Sequence, residues 1–479
     1  MRIGPPRGGA RAECDTGRGA CSDDTGRPAD AEDPGFRHAP IRRHAVLARG
    51  LPVGSAQDTG LRKWLAGGAL AVASMLLTLV LVEAYLRSTR SLETFFDPVQ
   101  YEPELASEGW KRSFVRDYAK LRKSARMGTD LGGYVHDPDL GWDTPRHFRG
   151  VHGYQADKQP DVFRVVVIGD SFTYGAEVSD DETYPHRLEM LLPKGEVINL
   201  GVRAYGIDQA VLKYLKYGRA YRPDLLVVGI WSLDYLRTPL TFYRFAKPLY
   251  VIDPGTHALT LTRTPVPPPD DMYRMLEREL GPFFFTYGLL RQAYRMKFPE
   301  ARGLERYFEK WDPLIEAILG RLVEAARQDH TPMLFVLIET GMAFRTDELM
   351  TDTNTCCERK HLRDIVQRLS VDAIDVGETL PRKYSRSTVY ERMYIHHRGD
   401  ASGHFTPFGN EAVAQEIGDY IQERFGVAVT GTNLLTGPAP HARNPRPYVS
   451  SPPHSGSILG STHRPRLGRP QRPTRFASA

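Results

Sequence analysis

Cysteine is scarce in this chain: four in 479 residues, at Cys14, Cys21, Cys356 and Cys357. So few thiols exclude a disulfide-dense scaffold, and their spacing is not that of a zinc site. Cys356 and Cys357 read as buried or solvated thiols, with an oxidised pair as the alternative. Phosphate-cradling glycine patterns are missing too. There is no P-loop, and Gly201–Gly206 (GVRAYG) lacks the glycine spacing of a dinucleotide fingerprint. The G-x-S-x-G elbow is absent, since Thr173 stands where its last Gly belongs. His396 and His397 are adjacent and would point to opposite faces of a strand, so with His404 they make no metal set. Neither a metal nor a cofactor is expected. Acidic residues and lysine are absent from Thr430 onward, where seven Arg stand. The chain carries +5 overall and −2 without that tail. Its body is therefore not a nucleic-acid surface by charge. The length allows two or three domains, and 41% apolar with 25% charged residues fits a globular protein with disordered additions.

Long apolar runs are limited to one. Leu65–Val82 (LAGGALAVASMLLTLVLV) holds no charge. As a helix it spans about 27 Å, close to a bilayer core of about 30 Å. Trp64 and Tyr85 flank it as interface anchors, and Glu83 marks its far end. We read residues 64–86 as an uncleaved transmembrane helix. A buried core helix and a cleaved signal peptide are the competing readings. Val82-Glu83-Ala84 offers small residues around a cut, but the run is long for a signal and a long segment precedes it. Arg42, Arg43, Arg49, Arg62 and Lys63 precede the run, against Arg87 and Arg90 after it. The positive-inside rule then puts the N-terminus in the cytoplasm and the larger part in the periplasm or outside the cell. Residues 1–60, rich in Gly, Arg, Asp, Ala and Pro, read as disordered. The Pro-, Ser-, Arg- and His-rich tail 430–479 reads as a solvated extension, with contact to an anionic envelope polymer or lipid heads as the alternative.

From Asp161 the pattern changes. Near-continuous apolar runs recur at Arg164–Ile168, Val197–Leu200, Asp224–Ile230, Met333–Ile338 and Val371–Asp375, as in strands covered on both faces. Helical stretches separate them at Asp181–Leu192, Gln209–Tyr217, Trp311–Gln328 and His361–Leu369, with Asn410–Phe425 last. Asn410 is the expected cap and Gly426 the stop of that helix. Alternating strands and helices predict a parallel sheet with helices on both sides. Residues 235–310, with Phe283-Phe284-Phe285, are too long for a simple connection. They read as an insertion that shapes the substrate site or elaborates the periphery.

In such a sheet a ligand binds beyond the carboxyl ends of the strands. Gly169-Asp170-Ser171-Phe172 follows the first, placing a hydroxyl at the open edge beside helix N–H groups. Asn199-Leu200-Gly201 follows the second, and Ser232-Leu233-Asp234 the third. Asp400 and His404 precede the final helix. A His with an acid behind it acts as general base, the acid fixing its tautomer.

These blocks together resemble the SGNH hydrolase (GDSL-type esterase/lipase) superfamily: GDSF at Gly169–Phe172, NLG at Asn199–Gly201, and the acid-plus-His block ending at His404. Asp137–Trp142 (DPDLGW) resembles the lead-in, residues 91–160, of its membrane-anchored bacterial members. The resemblance covers 161–428. It implies a three-layer α/β/α flavodoxin-like fold, Ser171 as nucleophile, and Ser171 and Gly201 N–H groups as oxyanion donors. It implies His404 as base and Asp400 as its acid. Asp170, Asn199, Ser232 and Asp234 are substrate-binding candidates. Two departures stand out. Leu233 occupies the place of the family's Asn, whose side chain is an oxyanion donor, with Ser232 as the nearby substitute. Ala401 stands where the acid usually falls, so the acid is Asp400. Loss of one such donor typically costs about 10²–10³ in turnover. The implied activity is a membrane-anchored serine esterase acting on an O-acetylated envelope carbohydrate or a lipid. An acyltransferase to a sugar, or a binding domain with impaired catalysis, are the alternatives.

Overall fold

A computed structural model describes residues 56–90, 102–123, 133–150, 153–297, 304–345 and 358–430. All four cysteines, residues 1–55 and the tail from 431 lie outside them. Two units divide the chain, residues 1–71 and 72–479, with the division inside helix α1 (Ala56–Thr89). Among the described residues, α1 supplies the one helix long and apolar enough to cross a membrane, Arg62–Thr89, with a mean hydropathy of 2.3. None of its apolar window is buried. A core helix would hide Leu70, Leu77 and Leu81, which are all exposed.

Helix α2 (Pro103–Lys123) and the hairpin β1 (Val135–Asp137)/β2 (Gly141–Asp143) lead into the sheet. The Asp137 carboxylate accepts the N–H groups of Asp139 and Leu140, which closes the hairpin turn. Trp142 is fully buried, and its Nε1 donates to the Arg203 carbonyl at 3.2 Å.

The strands and helices then alternate. β3 (Phe163–Ile168), α3 (Ser171–Tyr174), α4 (Tyr184–Leu191), β4 (Gly195–Asn199), α5 (Ile207–Lys216), β5 (Leu225–Trp231) and α6 (Asp234–Arg237) come first. The insertion holds the hairpins β6 (Phe242–Tyr243)/β7 (Phe245–Ala246) and β8 (Leu249–Ile252)/β9 (Leu259–Thr262), then α7 (Pro269–Glu279) and α8 (Phe285–Lys297). After it come α9 (Leu304–Gln328), β10 (Met333–Ile338), α10 (Glu358–Leu369), β11 (Asp372–Asp375), α11 (Val376–Tyr384), the single turn α12 (Arg386–Thr388) and α13 (Pro407–Phe425).

β3, β4, β5, β10 and β11 form one parallel sheet in the order β4-β3-β5-β10-β11. Counted along the chain this is the order 2-1-3-4-5, the flavodoxin-like doubly wound arrangement. Alternate residues of β3, β4, β5 and β10 serve opposite cores, which explains their apolar runs. Val166, Ile168, Leu226, Val228 and Phe335 pack with α5, α9 and α10. Val165, Val167, Leu225, Val227 and Val336 pack with α4, α11 and α13. The domain is thus a three-layer α/β/α sandwich.

Boundaries shift where local hydrogen bonding intervenes. Asp180–Glu182 form a separate 3₁₀ turn closed by Ser179 and Glu182, so α4 starts at Tyr184 and not at Asp181. Thr406, and not Asn410, caps α13: its hydroxyl accepts the Gly409 N–H at 3.1 Å. Asn410 is buried one turn further on, and its side-chain oxygen accepts the Tyr184 N–H at 2.9 Å, tying α13 to α4. Gly426 ends α13 in the left-handed conformation, as expected of a stop.

Candidate active site

The sheet order reverses between β3 and β5, so their carboxyl ends open the crevice where such folds bind ligands. Gly169-Asp170-Ser171 turns out of β3 at this point. Glycine is required here: a Cβ at Gly169 would lie 2.2 Å from Thr173 Oγ1 and 2.5 Å from the Gly229 carbonyl. Asp170 caps α3, its Oδ1 accepting the Phe172 N–H at 2.9 Å. Its other oxygen faces the Ser171 hydroxyl at 3.1 Å.

Ser171 Oγ also lies 2.9 Å from His404 Nε2. The hydroxyl has one hydrogen and so donates to one of these two acceptors at a time. The imidazole is positioned by Glu177, whose Oε2 lies 2.6 Å from His404 Nδ1 and accepts the His404 backbone N–H at 3.0 Å. With Nδ1–H donating to Glu177, Nε2 is left as acceptor for Ser171. The second Glu177 oxygen lies 2.6 Å from His397 Nε2. Burial acts to raise the Glu177 carboxyl. The His404 ring, by hydrogen bond and charge, together with the His404 backbone N–H and the charge of His397, outweighs it and holds the group at about 2.

Asp400, the expected acid, does not reach His404. Its backbone pairs with His397 in both directions, at 2.8 and 3.1 Å, and its side chain meets Arg345 at 3.2 Å. Ala401 is buried and the turn closes through Ser402, so the hairpin presents His397 and His404 to Glu177 and sends Asp400 the other way. Glu177 was not legible as a site residue. It sits six positions past Ser171, on the turn after α3, and only its backbone sets it apart: φ is 71°, in the left-handed region that bulky residues rarely adopt. Arg149 holds that turn. Its guanidinium donates to the carbonyls of Tyr174 at 2.8 Å, Gly175 at 2.5 Å and Val178 at 2.7 Å, and to Asp180 at 2.7 Å.

The two expected oxyanion donors differ in what they meet. The Ser171 N–H donates to no group among the described residues. The Gly201 N–H donates to the Asn199 side-chain oxygen at 2.9 Å, so it is engaged within its own turn. Gly201 is required by packing, since a Cβ would lie 2.5 Å from the Tyr174 nitrogen. Asn199 spends its amide on the Thr173 carbonyl at 2.8 Å, so it braces α3 and does not face the crevice as a ligand group. Ser232 donates its hydroxyl to Glu339 at 3.1 Å, which directs it away from Leu233's vacant role.

A buried cation stands beside Ser171 instead. Arg237 Nη1 donates to Asp170 Oδ2 at 3.0 Å, the same oxygen that Ser171 faces, and to Asp234 Oδ1 at 2.8 Å. Its Nε is buried and has no acceptor among the described residues. One guanidinium thus serves two carboxylates. Burial and the nearby Asp170 push the Asp234 carboxyl well above the usual range. Its two oxygens are taken up by Arg237 and by the Trp231 N–H at 3.1 Å, and the side chain is buried.

No family model and no curated protein matches the chain. A member of the lipolytic protein G-D-S-L family from Veillonella parvula DSM 2008 is 11% identical, over 55% of this chain and 98% of that one, at a TM-score of 0.31. The lipase/acylhydrolase from Enterococcus faecalis is 12% identical, over 56% and 98%, at 0.30. The acetyl xylan esterase AlAXEase is 12% identical, over 54% and 99%, at 0.29.

Proposed function

We propose that this chain is a membrane-anchored serine ester hydrolase of the SGNH type. The reading is carried by one observation: the line of hydrogen bonds from Ser171 through His404 to Glu177, at the carboxyl end of β3. Ser171 Oγ attacks the ester carbonyl carbon while its proton passes to His404 Nε2. The C–O bond to the alcohol then breaks, and that oxygen takes the proton from Nε2. Water attacks the acyl-serine, giving one proton to Nε2, and Ser171 recovers it as the carboxylic acid leaves. Glu177 takes the orienting role expected of Asp400, stabilising the imidazolium at each stage.

The negative charge on the carbonyl oxygen needs donors. The Ser171 N–H is one. Leu233 offers no side-chain donor, and Ser232 and Gly201 are engaged elsewhere, while Arg237 is tied to Asp170 and Asp234 and holds Asp170 beside the nucleophile. The substrate class is an ester, either an O-acetylated carbohydrate or a lipid of the envelope, and a sugar hydroxyl in place of water would make the same site a transferase. Leu233 favours a second reading, a binding domain with impaired catalysis. The flanking charges of α1 orient the domain outward, with the N-terminus in the cytoplasm.

The test is hydrolysis of short-chain acyl esters by the full chain in detergent, with Ser171→Ala alongside. Activity lost in the variant supports the serine mechanism. Activity no higher than the variant's, with soluble esters and with acetylated sugars alike, supports the binding reading.

A further inference from the structure

Helix α8 in the insertion exposes what a water-facing helix would hide. Tyr287, Leu290 and Tyr294 recur at intervals of three and four residues and share one face, with Phe284 just ahead of the helix. Their exposures are 59%, 70%, 58% and 56% in the order Tyr287, Leu290, Tyr294, Phe284. The buried stripe is separate: Phe285 packs with Leu86 of α1, joined by Leu105 and Phe283.

The same helix is fastened to the end of α1. Glu83 follows Val82, the last residue of the uncharged run. Its Oε1 accepts the Phe285 N–H at 2.9 Å, and its Oε2 accepts the Thr286 N–H at 2.9 Å and the Thr286 hydroxyl at 3.0 Å. The carboxylate thereby caps the amino end of α8. Arg87, one turn further along α1, donates to the Phe283 carbonyl at 2.6 Å and lies 5.1 Å from the centre of the Phe285 ring.

We infer that α8 is an interfacial helix, its Phe284, Tyr287, Leu290 and Tyr294 face seated in the headgroup layer of the bilayer that α1 crosses. This rests on the reading of α1 as a membrane anchor. Lipid is the occupant by continuity. The residue that ends the uncharged run is the residue that caps α8, so the exposed face begins at the level where the apolar run meets water. Tyrosine with an aliphatic neighbour on one helix face suits that boundary, where a ring is half wet and half in hydrocarbon. The insertion then has a mechanical role. It gives the domain a second hold on the membrane beside the single helix and fixes its attitude to the lipid surface.

The test uses the full chain in phosphatidylcholine vesicles, with Cys14, Cys21, Cys356 and Cys357 replaced by serine. An environment-sensitive fluorophore is placed by Met75→Cys, Tyr287→Cys, Leu290→Cys or Lys194→Cys. Lipids spin-labelled near the headgroup or near the chain end act as quenchers. The expected result is loss of emission at 75 with the deep quencher, loss at 287 and 290 with the shallow one, and no loss at 194. Quenching at 75 without quenching at 287 and 290 overturns the inference and leaves the anchor standing. Labels at 287 and 290 that are shielded from aqueous iodide yet untouched by spin-labelled lipid assign the face to a second copy or another protein, and also overturn it. No quenching at 75 overturns the anchor reading, and the inference with it.

Discussion

Glu177 pays for its position with backbone strain: a non-glycine residue in the left-handed region costs about 1–3 kcal/mol. Its carboxylate answers His404 by ring and backbone contacts, whereas the Asp400 carboxylate meets Arg345 among the described residues. Glu177→Gln should therefore lower kcat by about 10⁴-fold, the scale for a base left in the wrong tautomer, while Asp400→Asn stays near wild type. Steady-state kinetics on a short-chain ester separates the two. Arg237→Met leaves the buried Asp170 and Asp234 carboxylates without their cation and should destabilise the domain by about 3–5 kcal/mol, read by denaturant unfolding. Unchanged stability would overturn the structural role of this ion pair. At this scale Ser171 and His404 were legible, because a strand end and a helix start mark their places. Glu177 was not. Its conformation depends on the Gly175 turn and on Arg149, and neither spacing nor apolar pattern records them.

At the scale of elements, the five strands were legible to within a residue or two: β3, β5 and β10 are buried on both faces, while the edge strand β11, with Asp372 and Ala373 exposed, was marked only by its short apolar alternation. α11 was not, since Pro381 interrupts its pattern and β11 leads directly into it. The turn from Tyr174 to Asp180 matters most for the site. Arg149 gathers three of its carbonyls, and its own backbone N–H donates to the Asn199 carbonyl at 2.8 Å, so the turn is fixed to the β4 edge of the sheet. Arg149 is a positioning residue. Arg149→Met should cost about 10²-fold in kcat, the scale of an ångström's misplacement, with KM near wild type and partial rescue by Arg149→Lys. Equal losses in kcat and in folded fraction, read by circular dichroism, would make its role purely structural.

At the scale of the whole molecule, the sheet order was implied by the family resemblance and not by any single strand's residues. The order places Ser171 at the reversal point. One titration reaches the stability of the entire domain. The Glu177 carboxyl is depressed to about 2 in the folded chain from an ordinary 4.5, so its contribution is complete above about pH 4.5 and is lost as the pH falls through about 2. The Tm difference between wild type and Glu177→Gln should hold constant above that window and shrink within it. A difference that persists unchanged to pH 2 would remove Glu177 from the acid-unfolding transition.

Ser171 and Glu177 are neighbours on one turn, while His404 stands 233 positions away from the serine in the chain. During synthesis the first pair leaves the ribosome early and the histidine late, carried in just ahead of α13. A nascent chain therefore bears nucleophile and acid without a base until that last hairpin has folded against them. On the proposed mechanism the hydroxyl gains its base only when that hairpin docks, after every strand of the sheet has been made.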